Sequence, residues 1–197
     1  MLIAFEGLDG AGKTTVIDLV TQKLRDEGKK VKQVQDPAGT SIGRAIRKIL
    51  DDDIYFSNGV ELLLFAAARR QLVTEQIIPF IDKYIVITDR FTASTIAYQH
   101  YGSGFPKTDV NWLVKYSANG VRPDLNIFID VKADIAFDRR RKAGREGRLD
   151  RMPREYYRRV YTGYQTVIER NRRSWAIISG KLSTEEMASA CCLALLS

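Results

Sequence analysis

Cysteine, histidine and long apolar runs are all scarce in this chain, and two of these scarcities remove a class of structure. The only cysteines, Cys191 and Cys192, are neighbours in sequence, so neither a disulfide framework nor a cysteine metal site can be built from them. They read as small buried hydrophobes. No stretch approaches the roughly 20 apolar residues that span a bilayer. The N-terminus also lacks the basic region, apolar stretch and cleavage site of a secretory leader. The expectation is a soluble, cytoplasmic protein with no membrane association. His100 is the only histidine, and it is given no catalytic role. Internal repeats and low-complexity linkers are missing too. With 197 residues, 45% of them hydrophobic, the chain is read as one domain, 1–197, with a single sizeable core.

The net charge of +7 is not spread evenly. Residues 139–159 hold ten Arg or Lys against three Asp or Glu, and the remainder holds twenty-one of each sign. A local cationic patch on an otherwise neutral domain suits a small, highly charged anion at least as well as a nucleic-acid face. A solvated helix surface is the plainer reading of the same run.

Short β-branched runs alternate with longer periodic segments. Residues 2–5, 30–35, 84–88, 125–130 and 175–179 read as five strands, several of them apolar on both faces. Helical spacing recurs at Val16, Leu19, Val20 and Leu24, and residues 59–81 and 153–173 are each long enough for five turns. Strands alternating with helices imply an α/β fold with a parallel sheet covered on both sides. The least regular segment, 142–152, KAGREGRLDRM, reads as a mobile flap.

Directly behind the first strand stands EGLDGAGKTT, residues 6–15. Gly7, Gly12, Lys13 and Thr14 satisfy G-x-x-x-x-G-K-[ST] between a buried strand and a helix, which is the context this phosphate-binding loop requires. Glycines let backbone N–H groups turn toward phosphate oxygens, the helix N-terminus adds partial positive charge, Lys13 reaches the outer phosphates and Thr14 offers its hydroxyl to Mg²⁺. The loop predicts a bound nucleoside triphosphate. It does not say what is done with it, because switches, motors and kinases share it. A guanine-nucleotide switch would add an N-K-x-D base reader, which is absent. The strand YIVITDR ends in Asp89 and Arg90; the acid is placed to order magnesium or its waters, and the arginine suggests a second anion.

FEGLDGAGKTT, LLLFAAARR, DRFTASTIAYQ and the LDR closing the basic flap, in this order and spacing, resemble the thymidylate kinase family over nearly the whole chain. The resemblance implies a three-layer P-loop NTPase fold with a five-stranded parallel sheet, a homodimer, and transfer of the γ-phosphoryl group of ATP to dTMP with Mg²⁺ as cofactor. Small molecules, not nucleic acid, are the implied partners. It assigns Gly7, Leu8, Asp9, Gly10, Ala11, Gly12, Lys13, Thr14, Thr15, Arg139 and Arg141 to ATP, and Thr14 and Asp89 to the metal. It assigns Asp9, Pro37, Arg47, Phe65, Arg69, Arg90, Thr95, Tyr98 and Gln99 to dTMP. Within that set Phe65 and Arg69, four apart on one helix face, suit stacking on a pyrimidine and reaching a base oxygen. Thr95 and Gln99 take the base edge, Tyr98 crowds the sugar 2′ position, and Asp9 binds the 3′-hydroxyl. Ser94 could equally be a plain helix residue. The catalytic cations implied are Lys13, Arg90, Arg145, Arg148 and Arg151.

This chain departs from the family where an Arg-Glu-Pro-Gly-Gly segment is common and it has Gln35, Asp36, Pro37, Ala38 and Gly39. In one branch of the family an arginine occupies the position of Gly10. Glycine there with a basic flap resembles the other branch. Two other readings stay open: a kinase for another nucleotide or a deoxynucleoside, and, more distantly, a nucleotide-dependent nucleic-acid-binding module. Tyr156, Tyr157, Tyr161 and Tyr164 have a helical spacing that suits core or dimer packing better than a base-stacking platform.

Overall fold

The computed structural model describes residues 1–52, 57–144 and 151–195. Its centre is β1, Leu2–Glu6, buried along its whole length. Alternate residues of this strand enter opposite layers: Ile3 and Phe5 join one apolar cluster, while Leu2 and Ala4 join another. A strand apolar on both faces cannot sit at a wetted edge, which is why it takes the middle of the sheet. The other strands are β2, Val31–Gln35, β3, Ile85–Asp89, β4, Leu125–Asp130, and β5, Trp175–Ser179. They run parallel in the order β2-β3-β1-β4-β5.

The helices are α1, Lys13–Asp26, α2, Ser41–Asp51, α3, Asn58–Leu72, and α4, Thr92–Thr95. They continue with α5, Lys107–Ala118, α6, Ala133–Lys142, α7, Arg154–Arg170, and α8, Thr184–Ala194. Val16 and Val20 of α1, Val160 and Tyr164 of α7 and Met187 and Cys191 of α8 fill the first layer. Leu72, Val73 and Ile77 at the end of α3 fill the second with Ala118 of α5. The three layers are thus helix, sheet and helix. Cys191 is fully buried and burial pushes its thiol up to about 12, so it behaves as an apolar group.

Two helical segments differ from a uniform 3.6-residue repeat. The periodic stretch 59–81 leaves the α conformation after Leu72 and makes one wide turn over Val73–Ile77. The second wide turn, Ile96–Gly102, continues α4 and carries Tyr98 and Gln99. Wide π turns inside helices concentrate at functional sites, because they re-aim side chains that a regular helix would spread around its axis.

Candidate active site

The loop leaving β1 has Gly7, Gly10 and Gly12 at positive φ, 145°, 85° and 86°. A side chain at Gly10 would also meet α6, since its Cβ would lie 2.6 Å from the Ala136 carbonyl oxygen. Gly12 is the N-cap of α1 and no side chain caps that end. By contrast α2 is capped by Thr40, which accepts from the Gly43 N–H at 2.9 Å, and α8 by a reciprocal Ser183–Glu186 pair. The free N–H groups and positive dipole end of α1 therefore face the loop's concavity. Lys13 Nζ donates back to the carbonyls of Gly7 at 3.2 Å and Leu8 at 3.0 Å. Burial and the neighbouring Arg90 lower its pKa to about 8 against the opposing pull of Asp89, Asp9 and Glu6.

Register brings the second motif alongside. Phe5 of β1 pairs with Asp89 of β3, so the phosphate loop and the Asp-Arg pair leave the sheet side by side, at the crevice where parallel α/β sheets bind ligands. The Arg90 N–H donates to the Phe5 carbonyl at 2.9 Å and its carbonyl accepts from Thr88 Oγ1 at 2.8 Å. These bonds hold Arg90 at φ 72°, a left-handed conformation that costs a non-glycine residue about 1–2 kcal/mol. Strain of this kind persists only where the surroundings fix it.

The Arg90 side chain is almost fully used. Nη2 donates to Asp9 Oδ1 at 2.7 Å and to the Tyr98 hydroxyl at 3.0 Å. Nη1 donates to Ser94 Oγ and to the Tyr164 hydroxyl, both at 3.0 Å. Behind them lies Glu6, the polar last residue of a buried strand. It accepts from Ser94 Oγ, from Tyr164 at 2.9 Å and from the Phe91 N–H at 2.9 Å. Burial pushes the Glu6 carboxyl up; Ser94 and Arg90 oppose it. Tyr98 closes the front: its hydroxyl accepts from the Asp9 N–H at 3.0 Å and donates to Asp9 Oδ2 at 3.1 Å. Burial alone would raise Asp9, but Arg90, Lys13 and Arg140 outweigh it and hold the carboxyl well below the usual range. Arg90 is thus a fixed cation locked by five residues from four elements and the loop.

Two cavities meet at these groups. The first, about 440 Å³, follows the phosphate loop from Asp9 to Thr15 and is closed by Asp89, Arg90, Arg47 and Arg140. The second is narrower, and all nine residues that the family resemblance assigns to the acceptor line it, with Asp36, Ser94 and Arg140. Asp9, Asp36, Pro37, Arg47, Arg90 and Arg140 border both. Arg69 is buried and its Nε donates to Asp36 Oδ2 at 2.6 Å, while Nη2 donates to the Phe91 carbonyl at 3.1 Å. Gln99 is buried and its Nε2 donates to Glu61 Oε1 at 3.3 Å. Arg47 is tied to Asp51 at 2.7 Å and remains partly exposed. A larger groove of about 860 Å³ lies beside Asn126 and Trp175, at the starts of β4 and β5; it contains none of the predicted site residues.

For the metal the observation that matters is at Asp89. Oδ2 accepts from Thr14 Oγ1 at 3.1 Å, whereas Oδ1 is buried and receives no hydrogen bond from any described residue. A carboxylate oxygen left without a donor beside a threonine hydroxyl suits a hard divalent cation that keeps most of its waters. No cluster of three or more acidic, histidine or cysteine side chains is found among the described residues, so an all-protein cage is not offered.

The basic segment divides sharply. Arg140, on the inner face of α6, lies 3.5 Å from Asp9 and borders both cavities. Arg139 and Arg141, assigned to ATP, are exposed on the flanks of the same helix. Arg141 borders a smaller cavity of about 280 Å³ with Arg151, Phe137 and Tyr157. Arg145 and Arg148, with most of the expected flap, lie outside the described residues. Arg154 and Arg158 pair with Asp134 at 3.2 Å and 3.1 Å, so part of the cationic run is neutralised on the surface. Arg140 and Glu6 carry no predicted role and Tyr164 only a packing one; the spacing of Ala133, Ala136 and Arg140 on one face of α6 is the signal that marks the inward arginine.

Comparison with known proteins identifies the family. The family model described as thymidylate kinase matches residues 5–190. A thymidylate kinase of Kosmotoga olearia is 37% identical over 189 residues, covering 95% of this chain and 91% of that protein. One from Pelotomaculum thermopropionicum is 39% identical over 180 residues, covering 89% and 83%. The crystal structure of thymidylate kinase from Ehrlichia chaffeensis superposes with a TM-score of 0.82 at 28% identity, covering 100% of this chain and 98% of that one. With a family model matched from residue 5 to 190 and relatives at 37% and 39% identity over most of their length, this chain belongs to the thymidylate kinase family.

Proposed function

We propose that this enzyme transfers the γ-phosphoryl group of ATP to the 5′-phosphate of dTMP, with Mg²⁺ as cofactor. The observation that carries the reading is the pair of adjoining cavities sharing Asp9, Arg90 and Arg140: one holds a triphosphate against the loop, the other a pyrimidine nucleotide, and the two phosphates meet at the shared wall. No general base is needed, because a phosphate monoester with a second pKa near ~6 is already largely dianionic at neutral pH. The task is to join two anions and stabilise an in-line transition state.

Thr14 and Asp89 would hold Mg²⁺, which when bound neutralises charge on the outer phosphates. Lys13 releases its two loop carbonyls and turns to the phosphates. Arg90, fixed from behind, offers a cation that needs no reorganisation. Arg47 faces the acceptor phosphate, Phe65 stacks on the base, Arg69 donates to a ring oxygen and the Gln99 carbonyl oxygen accepts from the ring N–H. Tyr98 stands at the sugar. Arg145, Arg148 and Arg151 are the flap cations of this reading. The apolar residues exposed on α2, α3 and α5 form the face for a second copy.

A coupled assay of ADP release across dTMP, dUMP, dCMP, dGMP and dAMP tests the assignment. dTMP is expected to give the highest kcat/KM. A purine, or dCMP, in first place overturns it.

A further inference from the structure

Glu6 closes β1 and is fully buried, and no step of the transfer proposed above uses it. Its carboxylate meets four donors. Oε1 accepts from the backbone N–H groups of Phe91 at 2.9 Å and Ser94 at 3.3 Å. Neither group can act as an acceptor, so this oxygen carries no proton. Oε2 accepts from Ser94 Oγ and from the Tyr164 hydroxyl, the latter at 2.9 Å.

The same two hydroxyls hold Arg90 Nη1, both at 3.0 Å. A hydroxyl has one proton and two lone pairs. With the proton given to Glu6, each turns a lone pair to the guanidinium, so two neutral groups become oriented acceptors for a cation. Glu6 therefore decides which way both hydroxyls face, and acts on Arg90 through them. The two ends of the guanidinium differ accordingly. Nη2 bonds Asp9 and Tyr98, which line the acceptor cavity, and is the end a phosphate can reach. Nη1 is the end held from behind, where Tyr164 and Glu6 are fully buried.

We propose that Glu6, as a carboxylate, is a positioning residue of the transfer: through the Ser94 and Tyr164 hydroxyls it keeps Arg90 Nη1 anchored while Nη2 exchanges Asp9 for the transferring phosphoryl group. This rests on the kinase reading above. No bond is made or broken at Glu6, and the carboxylate keeps its charge throughout. Its contribution is to aim a cation at charge that develops only in the transition state.

Glu6→Gln keeps the shape and removes the charge. Its amide oxygen stays with the two backbone N–H groups, which leaves the N–H₂ facing Ser94 and Tyr164; both hydroxyls then accept from it and lose the alignment that served Arg90. In the coupled assay with ATP and dTMP, kcat is expected to fall at least tenfold while both KM values stay within threefold of the parent, the pattern of a group felt in the transition state. The same change is then made in Arg90→Lys. With the guanidinium gone Glu6 has nothing to aim, so kcat is expected to fall less than twofold further, whereas a side chain needed only for packing would cost the same in both backgrounds. Where Glu6→Gln does not fold, Tyr164→Phe, which keeps the ring against Phe128, replaces it in both measurements, with an expected loss in kcat of at least threefold in the parent background and less than twofold in Arg90→Lys. A smaller loss than stated, a loss carried by KM, or an equal loss with and without the guanidinium overturns the inference. Absence of dTMP turnover in the parent would instead defeat the kinase reading.

Discussion

Lys13 shows how one residue links the resting site to its ligand. Burial and Arg90 depress its pKa to about 8, so between that value and the unfolded value the unfolded chain binds more protons. Stability therefore rises with pH over this window, and below it the buried charge is a constant cost. A bound triphosphate supplies the missing counter-charge and restores the proton. At pH 8, ATP binding is expected to take up roughly half a proton, read as the dependence of binding heat on buffer ionisation enthalpy, and Lys13→Met should abolish the uptake. Arg140 also faces the site. It touches Asp9 while Arg139 points to solvent, so Arg140→Ala is expected to lower kcat at least tenfold, in line with loss of one preorganised cation, and Arg139→Ala to change it less than twofold. Equal effects would return both to a diffuse surface field.

Among the elements, the phosphate loop and α6 are coupled by backbone contact. Gly10→Ala combines a left-handed φ with a Cβ pressed on the Ala136 carbonyl, whereas Gly28→Ala has the same kind of φ, 78°, and nothing within 4 Å. Urea denaturation should show a loss of about 1–2 kcal/mol for Gly28→Ala and a clearly larger one for Gly10→Ala, with weakened ATP binding only in the latter. Comparable losses would mean that α6 yields freely. Most of this architecture was legible in the sequence because strands buried on both faces read as unbroken apolar runs. The limits of β4 and β5 were read as observed, but β1 and β3 each run one residue further, to Glu6 and Asp89. The wide turn at Val73–Ile77 was hidden because apolar spacing does not distinguish it from an α turn. Asp9, Phe65, Arg69 and Gln99 could be picked out from local motifs. Helical spacing puts Tyr164 on the buried stripe of α7 and Arg140 on the face of Ala133 and Ala136, but spacing does not say that these faces meet at Arg90 and Asp9.

Over the whole molecule, α2, α3 and α5 leave apolar side chains in water: Ile42 and Ile49, Val60 and Leu63, Trp112 and Tyr116, with Trp112 62% exposed. The last two stack with ring centroids 5.3 Å apart. A face of this kind marks an interaction surface, and the homodimer proposed above would cover it. Leu63→Glu should leave the thermal transition intact and sediment as a monomer where the parent sediments as a dimer; a monomeric parent would rule the dimer out. The hydrogen bond from Tyr164 to Glu6 reaches across 158 residues of sequence, and this span sets when the protein can first act. The rear support of Arg90 therefore exists only once α7 has been made and has closed on the sheet, so the site is completed together with the fold and not before it.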